Sequence, residues 1–262
     1  MYWVYRLPNW FFEVLTVSVF VGFSLAGIFP TRRWMRRIHA ERSHNDIVGF
    51  YLAGVTVLYG VSLGLLAIGA WTTYTDTQAK VTQEAAALSS FYRSVSSLPQ
   101  PARSSLQSDL RRYTRQIIDV SWPQQRRGIV PIENIATLDK IQQDFESFEP
   151  TTEAQKVLVA NIAREFEDLE ASRSLRMDSV SAELPPPLWA LILFGASICI
   201  IVTWFFDVES QAMHISMNVL IACLLGLMVF MVASLDNPYR GKISVSAAPF
   251  ERVYGQMSNS NK

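Results

Sequence analysis

The residues best suited to chemistry lie in and beside one predicted loop. His44, Asn45 and Asp46 stand together, and His214 begins a later apolar stretch. Imidazole and carboxylate ligands on neighbouring loops could hold a divalent metal or activate a water for hydrolysis. Ser43 followed by Asp46 also resembles a helix capping box, in which the helix dipole favours the acid. Because the chain has no H-E-x-x-H or C-x-x-C signature, we predict no catalytic residue, metal or cofactor.

A second pattern is a run of small residues in the apolar stretch that follows this loop. Its members recur at spacings of three or four and therefore share one helix face: Gly49, Ala53, Thr56, Gly60, Gly64 and Ala67. A G-x-x-x-G pair within the run lets helix backbones approach closely in lipid. The stripe therefore predicts either close helix packing or, when repeated around an oligomer, the apolar wall of a pore.

Positive charge is concentrated beside the apolar stretches. The two clusters are Arg32, Arg33, Arg36, Arg37 and Arg42 in the predicted loop 30–46, and Arg240 with Lys242 after the last stretch. These residues can serve as topology signals alone, bind anionic lipid headgroups, or concentrate anions at a pore mouth. Over the whole chain 23 basic and 23 acidic residues cancel, so no net field attracts nucleic acid.

Four apolar blocks without a charged residue must position these groups: 14–29, 47–71, 188–206 and 215–234. Blocks of about 20 apolar residues match the roughly 30 Å hydrocarbon core of a bilayer at 1.5 Å rise per residue. The sequence therefore predicts an integral membrane protein with four transmembrane helices. None of the four blocks offers a charged group for a proton relay or a voltage sensor.

Sidedness follows from the distribution of charge. Four spans place both termini and the long stretch 72–187 on one side, and the arginine-rich loop on the other. By the positive-inside rule the loop is cytoplasmic, and the long stretch lies outside the plasma (inner) membrane of the cell.

The long stretch has the composition of a soluble helical domain. Four amphipathic segments are visible in the spacing of their apolar residues: Val81 to Val95, Leu106 to Val120, Leu138 to Phe148 and Leu158 to Val180. Proline-containing breaks separate them at 98–101, 122–131 and 149–150, and Thr152 with Gln155 predicts a capping box. We therefore predict an all-α chain divided into 1–74, a four-helix bundle at 75–185, spans at 186–235, and a tail at 236–262.

Several short motifs together resemble the bacterial bestrophin-like family over nearly the whole chain. They are the arginine pairs before His44-Asn45-Asp46, Tyr59-Gly60-Val61 with Leu63-Gly64, Trp71, Glu84-Ala85, Tyr92-Arg93, Leu98-Pro99, Trp122-Pro123, Leu188-Trp189, the run from Leu235 to Gly241, and Pro249-Phe250. The resemblance implies a four-span membrane protein related to pentameric anion channels. It also implies that the second span lines the pore and that the domain between spans two and three is cytoplasmic, which the charge rule opposes.

These observations favour a homo-oligomeric channel in the lipid bilayer that passes anions such as chloride. The alternative is a non-conducting sensor or scaffold whose helical bundle binds a partner. The absence of any catalytic signature disfavours an enzyme.

Overall fold

The structure is a computed structural model that describes residues 9–38, 45–131, 135–241 and 243–259. Within these ranges the chain is helical, without a β-strand. The helices are α1 (Asn9–Ile38), α2 (Asn45–Val95), α3 (Ala102–Gln116), α4 (Trp122–Gln125), α5 (Ile135–Glu146), α6 (Glu153–Asp178), α7 (Pro186–Thr203), α8 (Gln211–Leu235) and α9 (Ala248–Asn259). A π-helical turn at Ile117–Ser121 joins α3 to α4.

Among the residues that the structure describes, four helices are long and apolar enough to cross a membrane, as the sequence predicts. The candidate spans are Trp10–Thr31 in α1, the apolar half of α2, Pro186–Thr203 and Gln211–Leu235. These spans belong to one compact unit, formed by the described residues up to Thr72 together with Glu183–Asn237, in which α1 packs along α8 and α7 contacts both. Gly226 of α8 allows the close approach, since a Cβ there would lie 3.0 Å from the Val17 backbone.

A second compact unit comprises Thr73–Ala182, Pro238–Arg240 and the described residues from Ser244 onward. Its core is formed by the buried faces of the second half of α2 and of α3, α5 and α6, as the apolar spacing predicts. The capping box at the start of α6 is confirmed: Gln155 N donates to Thr152 Oγ1 over 3.2 Å, and Thr152 N donates to Gln155 Oε1. The C-terminal helix α9 completes this core with Phe250, Val253 and Met257, all buried.

Two local expectations differ from the structure in this region. The predicted break at Trp122-Pro123 begins later, because Pro123 lies in the first turn of α4, where a proline's missing N–H is tolerated. Val120 was expected on the buried stripe but is 40% exposed. The π-helical turn explains this, because its wider turn shifts all later side chains around the helix axis.

The predicted loop 30–46 is also shorter than expected. Helix α1 continues past Pro30 to Ile38, so four of the predicted loop arginines fall on its last turns. A proline inside a helix removes one backbone hydrogen bond without necessarily ending the helix. The Thr31 hydroxyl donates to the Gly27 carbonyl over 2.7 Å and supports the helix at this point.

Candidate functional site

The membrane half of α2 uses one narrow face to pack within its own chain. Tyr59, Leu63 and Ala70 are buried on this face. The Tyr59 hydroxyl donates to the Ile192 carbonyl of α7 over 3.0 Å. Gly195 leaves room for the Tyr59 ring, because a Cβ on Gly195 would lie 2.3 Å from that ring. This contact fixes the rotation of α2 against α7.

The small-residue stripe lies beside that face, and the packing against α7 does not cover it. Gly60 and Gly64 are exposed, and a Cβ added to either would meet no atom of the described chain within 4 Å. Ala53 is exposed as well, while Gly49, Thr56 and Ala67 are half-buried. The G-x-x-x-G pair therefore makes no close helix contact within the described part of one protomer.

The stripe is almost entirely apolar in character. Its one hydroxyl, on Thr56, donates back to the Leu52 carbonyl of the same helix over 2.6 Å. Larger side chains, including Val57, Leu58 and Ile68, cover the other exposed faces of the helix. The helix face that is open in one protomer therefore carries small side chains and few polar groups.

The polar residues at the start of α2 are only partly brought together. Asn45 pairs with the connector between α7 and α8: its Nδ2 donates to the Asp207 carbonyl over 2.6 Å, and its Oδ1 accepts from Asp207 N over 2.8 Å. Asp46 is exposed in the first turn of α2. His44 lies outside the described residues, and so do Ser43 and the predicted capping box.

His214 belongs instead to a buried network between three spans. Its Nε2 lies 3.1 Å from the Thr203 carbonyl, and its own carbonyl accepts from Asn218 Nδ2 over 2.9 Å. Asn218 Oδ1 in turn accepts from the Thr203 hydroxyl and, over 3.5 Å, from the Ser24 hydroxyl of α1. All four side chains are buried, so this network ties α1, α7 and α8 together. Within the ranges that the structure describes, no three His, Cys, Asp or Glu residues are placed to hold a metal ion.

The basic residues fall into two different settings. Arg33 is exposed near the end of α1, on the same two turns that carry Arg32, Arg36 and Arg37. Arg42 and Lys242 lie outside the described residues. Arg240 belongs to the helical unit, where its Nη2 donates to the Arg127 carbonyl over 3.2 Å and its guanidinium lies against Gly128.

A buried ion pair in the helical unit was not predicted from the sequence. Glu84 and Arg176 are fully buried, and Arg176 donates two hydrogen bonds to the carboxylate, the longer from Nη2 to Oε1 over 3.0 Å. The Tyr113 hydroxyl donates to the same Oε1 over 3.3 Å. Burial alone would lower the pKa of Arg176, but the adjacent Glu84 carboxylate raises it above its usual value. The available signal was the position of Glu84, one residue before Ala85 on an apolar helix face.

The C-terminal helix covers this pair. The Phe250 ring lies under the Arg176 guanidinium, 5.3 Å from its carbon, and the Trp122 ring packs edge-on against Phe250. The Tyr92 hydroxyl donates to the Met257 carbonyl over 3.2 Å, which fixes the far end of α9. Residues that the sequence analysis placed in a tail are therefore part of the core.

Comparison with known proteins identifies the architecture. The family model of the bestrophin-like domain matches residues 18–250. Structures of a bacterial bestrophin homologue from Klebsiella pneumoniae share the fold: one superposes with a TM-score of 0.70 at 11% identity, covering 94% of this chain and 97% of that chain. Another structure, of a point variant of that homologue, superposes with a TM-score of 0.68 at 10% identity, covering 95% and 98% of the two chains. No curated protein matches the sequence.

Proposed function

This chain belongs to the bestrophin-like family, and from that premise we propose that it forms a homo-oligomeric, anion-permeable channel lined by its second span. Family membership supports a channel-type membrane protein rather than an enzyme. The finer parts of the proposal concern the pore face, the permeant ion and the sidedness, and each rests on residues of this chain.

The observation that carries the proposal is the open small-residue stripe on α2. Gly60 and Gly64 face open space in the single chain, although small residues in a span normally serve close contact between helices. A helix face turned toward lipid gains nothing from glycine. The stripe therefore fits a surface that is completed by neighbouring copies, either as their contact or as the wall of a lumen between them.

Closed symmetry turns single residues into rings. Homo-oligomers adopt closed point groups, and the family resemblance suggests five subunits here. In such a ring the stripe would become an uncharged, narrow wall around the axis, while Arg33 and its neighbours would form positive rings near one end of the spans. An apolar constriction between positive mouths favours anions over cations.

The charge balance of the spans supports anions as the permeant species. The block 47–71 of α2 contains no acidic residue, so a pore lined by it offers no carboxylate ring for a cation. Arg240 contributes less than the sequence suggested, because its guanidinium is held against the Gly128 turn. We therefore assign anion attraction chiefly to the arginines at the end of α1.

Ion flux tests this proposal directly. Purified protein reconstituted in liposomes should pass chloride in preference to potassium. If the protein is assembled but carries no ion, the alternative of a non-conducting scaffold whose helical bundle binds a partner takes its place. Equal passage of potassium and chloride would overturn anion selectivity while leaving a channel.

Sidedness requires a separate experiment. From the positive-inside rule we propose that the arginines at the end of α1 are cytoplasmic and that the helical unit lies outside. A Ser104→Cys variant should then react with an impermeant maleimide added to intact cells, whereas Ser43→Cys should react only after lysis. The reverse pattern would establish the orientation that the family resemblance implies.

A further inference from the structure

Two grooves flank the exposed face of α2 in the helical unit. The first lies between α2 and α6, has a volume of about 400 Å³, and is lined by small residues that include Ala86, Ala87 and Ala171. Among the described residues that line it, Asp168 alone carries a charge, and its side chain is exposed. We call this surface the acidic groove.

The second groove lies between α2 and α9 and has a volume of about 180 Å³. Its lining includes Ser89 and Ser96 of α2 and Val253 of α9. Arg93 alone carries a charge among the lining residues that the structure describes, and it is exposed. Its Nη2 donates to the Ser90 hydroxyl over 3.1 Å. We call this surface the basic groove.

The two grooves lie at the same level of α2, on different sides of its exposed face. Ser90 lines the acidic groove and Ser89 lines the basic groove. Successive residues are turned by about 100° around a helix that has 3.6 residues per turn. Neither Asp168 nor Arg93 forms an ion pair within the described part of one protomer. The two opposite charges are therefore available to separate partners.

The exposed charge of α6 extends the acidic groove. Between residues 164 and 178 this helix exposes four acids and one base, which are Glu167, Asp168, Glu170, Asp178 and Arg164. The half-buried Glu165 and Arg173 of the same stretch are opposite in sign and offset each other. The α6 side of the helical unit therefore carries net negative charge.

The surroundings of the basic groove have the opposite sign. Arg252 is exposed on α9, and Arg111 of α3 donates over 3.1 Å to the hydroxyl of Tyr92, which lines this groove. Glu251 is also exposed, but it lies two residues before Val253 and is therefore turned nearly to the opposite side of α9. Positive charge therefore predominates beside this groove.

One chain thus carries two complementary surfaces, and a second copy supplies the match for each. In a closed ring with head-to-tail contacts, every copy turns one surface to the copy ahead and the other to the copy behind. Resting on the homo-oligomer proposed above, we infer that the acidic groove of one copy packs against the basic groove of the next, with Asp168 facing Arg93 of the next copy. Small side chains such as Ala86 and Ala171 leave room for this approach.

Crosslinking between two differently tagged full-length chains tests this contact. In a Cys199→Ala, Cys223→Ala background, chains with Ser89→Cys are co-expressed with chains that carry Ala171→Cys, and the membranes are treated with a short bismaleimide. The yield of crosslinked dimers should exceed that of either variant alone by about threefold or more, because a head-to-tail contact joins two different surfaces. In the matched control, Gln143→Cys on the exposed surface of α5 replaces Ala171→Cys and should give only the background yield.

Charge reversal tests the pairing itself. Asp168→Lys in all chains should lower the crosslinking yield by about threefold, and adding Arg93→Asp should restore it, since opposite charges then face each other again. A yield that ignores both substitutions would overturn the pairing of Asp168 with Arg93. Oligomers of parental size in light scattering without the mixed crosslink would overturn the contact and leave the proposed channel intact, and so would equal crosslinking by one variant alone. A monomeric protein would instead remove the assembly on which both proposals rest.

Discussion

The two halves of α2 belong to one unbroken helix but bury very different amounts of surface. In the helical unit, Val81, Leu88, Phe91 and Val95 are each 0% exposed on one continuous face. In the membrane, only 11% of the most apolar window of α2 is buried, against 33% for α8. The corresponding shares are 17% for α1 and 28% for α7, so α2 is the span with the least contact within its own chain.

The difference shows where each half finds its stabilising contacts. The soluble half is amphipathic and is stabilised by apolar burial within its own chain. The membrane half gains nothing from hiding apolar side chains from lipid, so its small-residue face matters only for close contact or for a lumen. The soluble half is therefore stabilised by contacts within its own chain. The membrane half is left for contacts between copies in the assembly that we propose.

The largest effect is expected from breaking the soluble half at its buried ion pair. Arg176→Met removes the partner of Glu84 and leaves a carboxylate in a fully buried site. Loss of one member of a buried pair costs about 3–5 kcal/mol. The free energy of unfolding, measured by denaturant titration in detergent, should fall by that amount.

The double variant Glu84→Gln, Arg176→Met is the control for this prediction. It removes both charges at once, so much of the lost stability should return. A single variant that is as stable as the parent protein would show that Glu84 takes a proton or finds water at no cost, and the pair would then contribute nothing to the core.

The membrane half is tested by filling its open glycines. At Gly60 and Gly64 an added Cβ would meet no atom of the described chain within 4 Å, so Gly60→Leu and Gly64→Leu introduce no clash at that atom within one protomer. In an assembly they would overpack each helix contact by about 1–3 kcal/mol or obstruct the lumen. We expect the oligomer to dissociate in light scattering, or chloride flux to be lost.

Gly54→Leu provides the matched control for the glycine variants. Gly54 is also exposed with open space around it, but it lies off the small-residue stripe. This variant should assemble and conduct like the parent. If all three variants retain the same oligomer size and the same flux, the stripe has no role in assembly or conduction.

A variant outside α2 sharpens the comparison. Asp236, directly after α8, accepts from Leu184 N over 2.6 Å and from Trp189 Nε1 over 3.3 Å. The side-chain nitrogen of Asp236→Asn cannot accept one of these bonds, which should cost about 1–3 kcal/mol of stability. Assembly and flux should remain, because neither half of α2 is altered.

The pH dependence of this variant has a defined sign. Burial raises the pKa of the Asp236 carboxyl, although its hydrogen bonds to Leu184 and Trp189 oppose the rise. The folded protein therefore holds this proton more tightly than the unfolded chain, whose Asp pKa is about 3.9. As pH falls through the folded pKa toward that value, the stability advantage of the parent over Asp236→Asn should widen. An advantage that shrinks on acidification would contradict this assignment.

The sequence predicted the elements better than it predicted their contacts. The four spans and the helices of the soluble unit follow from apolar block length and spacing, and Thr152 with Gln155 marks the start of α6 correctly. Val120 was misplaced because no local residue signals a π-helical turn. The pairing of Glu84 with Arg176 spans 92 positions, so no local pattern reveals it.

The candidate site was also predictable only in part, because local spacing identifies a helix face but not the contacts that the face makes. Small-residue spacing identifies one face of α2, but only the structure shows that Tyr59 contacts α7 and leaves the stripe open. His214 resembled a loop ligand in sequence, yet it is buried in α8, with the Thr203 carbonyl at the end of α7 beside its ring and Asn218 one helical turn further on. The role of Arg240 likewise depends on Gly128, more than a hundred positions earlier.

The smallest effect is expected from the arginines at the end of α1, because charges at a pore mouth act on the ion through screening solvent. Replacing Arg32, Arg33, Arg36 and Arg37 by Gln removes positive rings. These rings would concentrate chloride at one mouth of the pore that the membrane half of α2 lines. Each exposed charge is worth about 1 kcal/mol or less, so the chloride-to-potassium permeability ratio should fall by roughly two- to fivefold at low salt.

Ionic strength separates this mouth effect from a change inside the pore. The screening length is about 30 Å at 0.01 M salt and about 3 Å at 1 M, so the loss of selectivity should nearly vanish at the higher concentration. Lys156→Gln, which neutralises an exposed cation paired with Glu153 on α6, should leave the ratio unchanged at both. A loss of equal size at both salt concentrations would place the arginines against the permeating ion itself, and the uncharged stripe of α2 would then no longer be the narrowest part of the path.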